Sequence, residues 1–198
     1  MHRLCKTLAV VAALALAVSL SSSLAQAENT PDQYFTTGYF TNAHAPGAPD
    51  AQLRLTNDGT TEGYLWANIY VFNNDEEMEE CCSCPVSPNG YLDLDVNSDL
   101  TSNPLGGGAK PPRGILKVVS SATGPAPAST YAPVGGIRGW LTQIQNGASS
   151  GSYSITESDL KDSFLSGSEL GLALQETCAF VLSLGSGTGL CSCNDAGH

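Results

Sequence analysis

The alternation of apolar and polar positions divides the chain into short extended segments followed by one helical segment. Tyr64 to Phe72 carries the strongest signal, with Leu65, Ala67, Ile69 and Val71 on one face and Tyr64, Trp66, Asn68, Tyr70 and Phe72 on the other. Apolar groups on both faces predict a central strand that is covered twice. Gln52 to Thr56 alternates with Leu53 and Leu55 on one side, and Asn57-Asp58-Gly59 marks a turn. These two segments read as a hairpin with a loop longer than the tightest type. Tyr34 to Phe40, Tyr91 to Val96, Ile115 to Val119, Ile137 to Ile144 and Ser152 to Ile155 are further strand candidates. Ser87-Pro-Asn-Gly90 and Asn146-Gly147 supply turns, and Thr101 to Arg113 and Ser120 to Pro133 are rich enough in Gly, Pro and small residues to be loops.

After Ile155 the period changes. Thr156-Glu-Ser-Asp159 resembles a capping box and predicts a short helix to about Leu165. Ser166-Gly-Ser-Glu169 is a second box, followed at helical spacing by Leu170, Leu174, Cys178, Val181 and Leu182, with Gly185 as the stop. The pattern predicts a mainly β fold: an antiparallel β-sandwich with a C-terminal α-helix, in a single domain without internal repeats.

The N-terminus has a different character. His2, Arg3 and Lys6 precede an uncharged run of 13 residues from Leu8 to Leu20, and Ala25-Gln26-Ala27 has the small-residue form of a cleavage site. Residues 1–27 are therefore expected to be a secretory signal peptide, with residues 28–198 exported to the periplasm or beyond. The run is shorter than the roughly 20 residues of a spanning helix, and no membrane insertion of the mature chain is expected.

Cleavage sharpens the composition. The chain has 198 residues and a formal net charge of -11. Loss of Arg3 and Lys6 leaves 6 basic residues against 19 acidic ones, a net charge of -13. Such a chain is a poor partner for nucleic acid or an anionic lipid surface. Its 41% hydrophobic content suffices for a core.

Cys5 leaves with the leader, and six cysteines remain. Cys81, Cys82 and Cys84 form C-C-x-C, Cys178 lies on the predicted helix, and Cys191 and Cys193 form C-x-C. An even count in an exported chain predicts disulfides, and thiolate ligation of a metal is the alternative. Adjacent Cys81 and Cys82 make a strained ring, so separate partners are expected. Pairing the first cluster with Cys178, Cys191 and Cys193 is the most economical arrangement, and the sequence does not choose the partners within it.

Tyr70-Val-Phe72, Glu80-Cys-Cys-Ser-Cys-Pro-Val86, Leu100-Thr-Ser-Asn-Pro-Leu105 and Gly185-Ser-Gly187…Gly189-Leu-Cys191 together resemble an uncharacterised family of secreted bacterial proteins. The likeness runs from about Leu53 to Cys193. It implies export and a single unit, and it transfers no catalytic residue.

Other candidate sites rest on composition. Asn73 to Glu80 reads as an acidic loop, and Asp75, Glu76 and Glu77 within it are oxygen donors suited to calcium. Asp93, Asp95, Asn97 and Asp99 echo the start of a calcium loop, but Ser98 and Pro104 stand where that loop needs Gly and Glu. The alternation of Leu92, Leu94 and Val96 explains the same acids as the outward face of a strand. The two acidic segments together make calcium the one candidate cofactor. Tyr64, Trp66 and Tyr70 form a stacking platform for sugars if their strand face is open, and core if it is not.

Nucleophile patterns lack their context. Gly147-Ala-Ser149-Ser-Gly151 sits in a turn-like stretch instead of a strand-to-helix elbow, and Ser158-Asp-Leu-Lys161 has no partner motifs. The remaining bases, His44 and His198, lie in a loop and at the last residue. The leading expectation is a non-catalytic binding or structural module for a protein or glycan partner. A secreted hydrolase using a carboxylate pair and a metal-binding protein using the cysteines are the alternatives.

Overall fold

A computed structural model describes residues 32–43, 46–101, 107–123, 132–165 and 167–185. The chain divides at Thr30, and everything described belongs to the second unit. The expected leader, His44, His198, Cys191 and Cys193 lie outside the described residues.

Among the described residues nine strands and one helix follow in the order β1 (Asp32–Thr41), β2 (Gln52–Asn57), β3 (Leu65–Asn73), β4 (Met78–Val86), β5 (Tyr91–Asp95), β6 (Arg113–Ser121), β7 (Ile137–Asn146), β8 (Tyr153–Asp159), β9 (Lys161–Ser163) and α1 (Gly167–Ser183). They build a five-stranded sheet, β4-β3-β6-β1-β9, and a four-stranded sheet, β5-β2-β7-β8. Strand pairing is antiparallel throughout both sheets. The sheets meet over a core that includes Phe40, Leu53, Leu55, Ile69, Leu94, Leu116 and Leu141. The far side of the five-stranded sheet holds a second cluster, where Leu174, Cys178 and Val181 of α1 cover Phe35, Tyr70, Met78, Cys81 and Val119. The order of layers is helix, five-stranded sheet, four-stranded sheet.

Alternation places each residue as the sequence pattern requires. Leu65, Ala67, Ile69 and Val71 of β3 enter the inter-sheet core, and Tyr70 and Phe72 lie in the cluster under the helix. β3 is flanked by β4 and β6, as a strand covered on both faces should be. The helix runs to Ser183, and Gly185 beyond it adopts φ 99°, the left-handed conformation that ends a helix at little cost in glycine. No helix among the described residues is long and apolar enough to cross a membrane.

Three expectations are corrected. β2 and β3 are not a hairpin: β2 pairs with β5 and β7, while β3 pairs with β4 and β6. Both strands send leucines to one core, so they face each other across it instead of sharing an edge. Asn57 Nδ2 anchors the crossing by donating to the carbonyls of Gly63 and Val86 at 3.2 and 3.1 Å.

The acidic segment is not all loop. The turn ends at Glu77, and Glu79 and Glu80 are buried in β4. Asn73 organises that turn: its Oδ1 accepts from the amides of Asp75 (2.8 Å) and Glu77 (3.0 Å), and its Nδ2 donates to Glu79 Oε1 (2.5 Å).

Thr156 to Leu165 forms no helix, because Tyr153–Asp159 pairs with β7 and Lys161–Ser163 pairs with β1. Ile155 and Thr156 are β-branched and favour an extended chain. Leu160 is the single residue by which the chain passes from one sheet to the other. Its amide donates to Gly139 O at 2.8 Å, and its side chain fills space that Gly38 and Gly139 leave open. A Cβ on Gly139 would lie 2.6 Å from Leu160 Cδ1, and one on Gly38 would lie 2.3 Å from Leu160 Cδ2.

Candidate functional site

The four-stranded sheet has one face in the core, and α1 packs on the other sheet, so no helix among the described residues covers its outer face. Register fixes what that face presents. Arg54 lies opposite Asp93 on β5 and opposite Trp140 on β7, and Trp140 lies opposite Asp159 on β8. The neighbouring row brings Asp95 opposite Gln52 and Glu157 opposite Thr142. Trp140 and Tyr91 are 37% and 44% exposed.

Arg54 is the electrostatic centre of the face. Its Nη1 donates to Glu157 Oε1 at 2.7 Å and its Nη2 to Gln52 Oε1 at 2.5 Å, while Nε lies 3.8 Å from Asp93 Oδ2. Burial pulls its pKa down, but Glu157 and Asp93 more than offset this and the net shift is upward. The Tyr91 hydroxyl donates to Asp93 Oδ2 at 2.7 Å. Burial first and this bond second hold the Tyr91 pKa above the ordinary phenol value. Arg138, on the same face, donates to Asp58 Oδ2 at 3.1 Å. The Asp58 carboxyl is held low chiefly by hydrogen bonds from Thr60, with Arg138 contributing less.

Two depressions meet at this face. A notch of about 350 Å³ opens where β8 leaves β7, with Thr36, Ile137, Gly139 and Leu160 beside Arg138, Trp140, Asp159, Lys161 and Asp162. Lys161 Nζ lies 3.9 Å from Asp159 Oδ2. The charged groups of the notch balance, two cations against two carboxylates. A groove of about 310 Å³ is lined by Gln52, Arg54, Thr142, Ile155 and Glu157 together with Pro49, Asp50, Ile144 and Thr156. The Arg54–Trp140 pair stands between notch and groove.

The residues singled out from sequence are placed elsewhere. Cys81 on β4 is bonded to Cys178 on α1, with Cα atoms 5.6 Å apart, and Cys82 and Cys84 are also disulfide-bonded. Strand alternation explains the separation of neighbours: Cys81 belongs to the cluster under the helix, and Cys82 and Cys84 to the inter-sheet core. Oxidised sulfur is no thiolate ligand.

Asp75, Glu76 and Glu77 are exposed on the turn of the five-stranded sheet, whereas Asp93 and Asp95 lie on β5 of the other sheet. Asp99 Oδ2 accepts from the Asp95 amide at 2.7 Å, and Asp50 Oδ2 accepts from the amides of Asn97 and Ser98 at 2.8 and 3.1 Å. These acids shape the turn after β5. Among the described residues no group of three or more His, Cys, Asp or Glu side chains is placed to hold a metal ion.

The aromatic face of β3 is core at Tyr70 and does not form the conditional platform. Tyr70 is fully buried under α1, while Tyr64 precedes the strand and is 63% exposed. Tyr64, Trp66 and Tyr70 therefore share no open surface. Ser149 sits in the β7–β8 turn, where its amide donates to Ser152 Oγ at 3.1 Å and its carbonyl accepts from that hydroxyl at 2.7 Å.

Trp140, Tyr91 and Arg54 were not legible as a site, although a signal existed. Trp140 falls between Arg138 and Thr142 on the polar register of β7, opposite Ile137, Gly139 and Leu141. A large aromatic on the wet side of a half-buried strand is the signal, although one such residue by itself is ordinary on a protein surface. No protein-family model, curated protein or solved structure matches this chain.

Proposed function

We propose that this chain is an exported, non-catalytic binding module that holds its ligand on the open face of the four-stranded sheet, at Trp140. The observation that carries this reading is an exposed indole between two depressions, on a face that no helix among the described residues covers. Concave sites with a few converging polar groups are where ligands bind. The leader-like N-terminus and the resemblance to secreted bacterial proteins support export, as do disulfides at Cys81, Cys82, Cys84 and Cys178, because such bonds persist in oxidising compartments.

The chain has two tryptophans, so a Trp66→Phe variant makes Trp140 the sole indole reporter. Its emission should change saturably with at least one probe among neutral polysaccharides, polygalacturonate and polylysine, and chromatography should show the probe intact. No change with any probe removes the binding reading. Shortened products would instead favour a hydrolase using Asp159 and Asp162, which line the same notch.

A further inference from the structure

We infer that Cys82 and Cys84 are each bonded to one of Cys191 and Cys193, so that the C-terminal segment is strapped across the outer edge of β4. This goes beyond the binding-module reading and does not rest on it.

The partners follow by elimination. Cys82 and Cys84 are both disulfide-bonded, and Cys81 and Cys178 are taken by each other. Cys82 and Cys84 do not take one another. They stand two residues apart in the regular part of the β3–β4 ladder, opposite Ile69 and Ala67. Side chains at that spacing on a strand point the same way from Cα atoms about 6.6 Å apart, whereas a disulfide needs Cβ atoms about 3.5–4.5 Å apart. Cys84 does not reach a second molecule either, because it is fully buried between the sheets. Besides these four, the chain holds Cys5, Cys191 and Cys193. Cys5 belongs to the expected leader, so two bonded sulfurs face two remaining cysteines.

Topology gives the connection its path. Cys178 meets Cys81 on the helix side of the five-stranded sheet, while Cys82 and Cys84 belong to the inter-sheet side. β4 is the outermost strand of that sheet, with β3 on its inner side. Both cysteines lie in the middle of β4, so the shortest way from α1 to them crosses the free edge of the strand. Length permits it. α1 rises only about 8 Å from Cys178 to its end at Ser183. Cys191 follows Gly185 by six residues, which span about 20 Å when extended.

The bonds have a consequence for the sheet. The bare edge of an outermost strand presents N–H and C=O groups to which another chain can add. Here the chain's own C-terminal segment is held against that edge, beside the helix that Cys178 already fastens to the same strand.

The experiment uses the exported chain with its disulfides intact and any free thiol blocked. It is unfolded and cut with trypsin and chymotrypsin without reduction, and the joined peptides are identified by mass. Lys110, Lys161, Phe180 and Leu184 provide cuts that separate the three groups of cysteines. The expected product is a set of three peptides held together, carrying Cys81 to Cys84, Cys178, and Cys191 with Cys193, which reduction releases. A C-terminal peptide that runs free, with Cys191 bonded to Cys193 or both blocked as thiols, overturns the inference. A bond from Cys82 or Cys84 to Cys5 or to a second copy of the chain also overturns it. Cys84→Ser then names the individual bond: one blocked thiol is expected, at Cys191 or at Cys193, and a thiol at Cys82 or Cys178 in its place contradicts the pairing. Should that variant fail to fold, the map of the parent chain decides alone.

Discussion

Two buried polar side chains show how single residues set the stability of this molecule. The Tyr70 hydroxyl is buried between the five-stranded sheet and α1, with no hydrogen-bond partner among the described residues. A buried polar group left unsatisfied costs free energy, and removing it relieves that cost. Tyr70→Phe should therefore be at least as stable as the parent, by about 1 kcal/mol, in urea denaturation. A less stable variant would show that the hydroxyl is satisfied.

Glu79 lies on β4 at an irregularity in the β3–β4 register, where Val71 pairs with Glu80 and Phe72 with Met78. Burial raises its carboxyl pKa, opposed by the Asn73 hydrogen bond and reinforced by Glu77 and Asp75. A carboxyl whose folded pKa is raised contributes most to stability when protonated. That contribution is present below the unfolded pKa and is lost as pH rises through the folded one. Glu79→Gln should thus melt above the parent near pH 7, with the gap closing toward about pH 4. A gap that widens on acidification would reverse the sign.

At the scale of elements, the helix depends on its attachment. A 17-residue helix is marginal alone in water and needs tertiary packing. Leu174, Cys178 and Val181 supply it, and the Cys81–Cys178 bond closes the helix onto β4 across a sequence separation of 97. The register irregularity at Glu79 contributes, because it lets Met78 and Cys81 share the side facing the helix despite their spacing. The double variant Cys81→Ser with Cys178→Ser should lose about 2–5 kcal/mol in chemical denaturation. Helical circular dichroism should fade before the sheet signal does. Simultaneous loss of both would show that helix and sandwich are one cooperative unit. The short β8 and β9 obey a different logic. They are joined by Leu160 alone, whose side chain the glycines at 38 and 139 accommodate.

At the scale of the whole molecule, much of the architecture is written in local alternation. Leu53 and Leu55, Leu92 and Leu94, and the two-sided Tyr64 to Phe72 segment each name a strand and its buried face, because side chains on a strand point to opposite sides in turn. Helical spacing from Leu170 to Leu182 names the helix for the same kind of reason. Pairing is another matter. Alternation says which face of a strand is buried, but not which neighbour takes its edge, so the pattern suggests a hairpin of β2 and β3 where the core separates them. Tyr70 and Trp140 make the same point for the site. Both look like strand aromatics in the sequence, yet one is roofed by a helix from a hundred residues further on and the other is not. Local pattern names most strands with their faces, the main helix and the cysteines available to staple it, because those follow from near neighbours along the chain; it misses β4 and reads the end of β8 and β9 as a helix. Which sheet each strand joins, which face the helix covers and which aromatic stays exposed come from the folded chain alone, because burial depends on distant segments meeting.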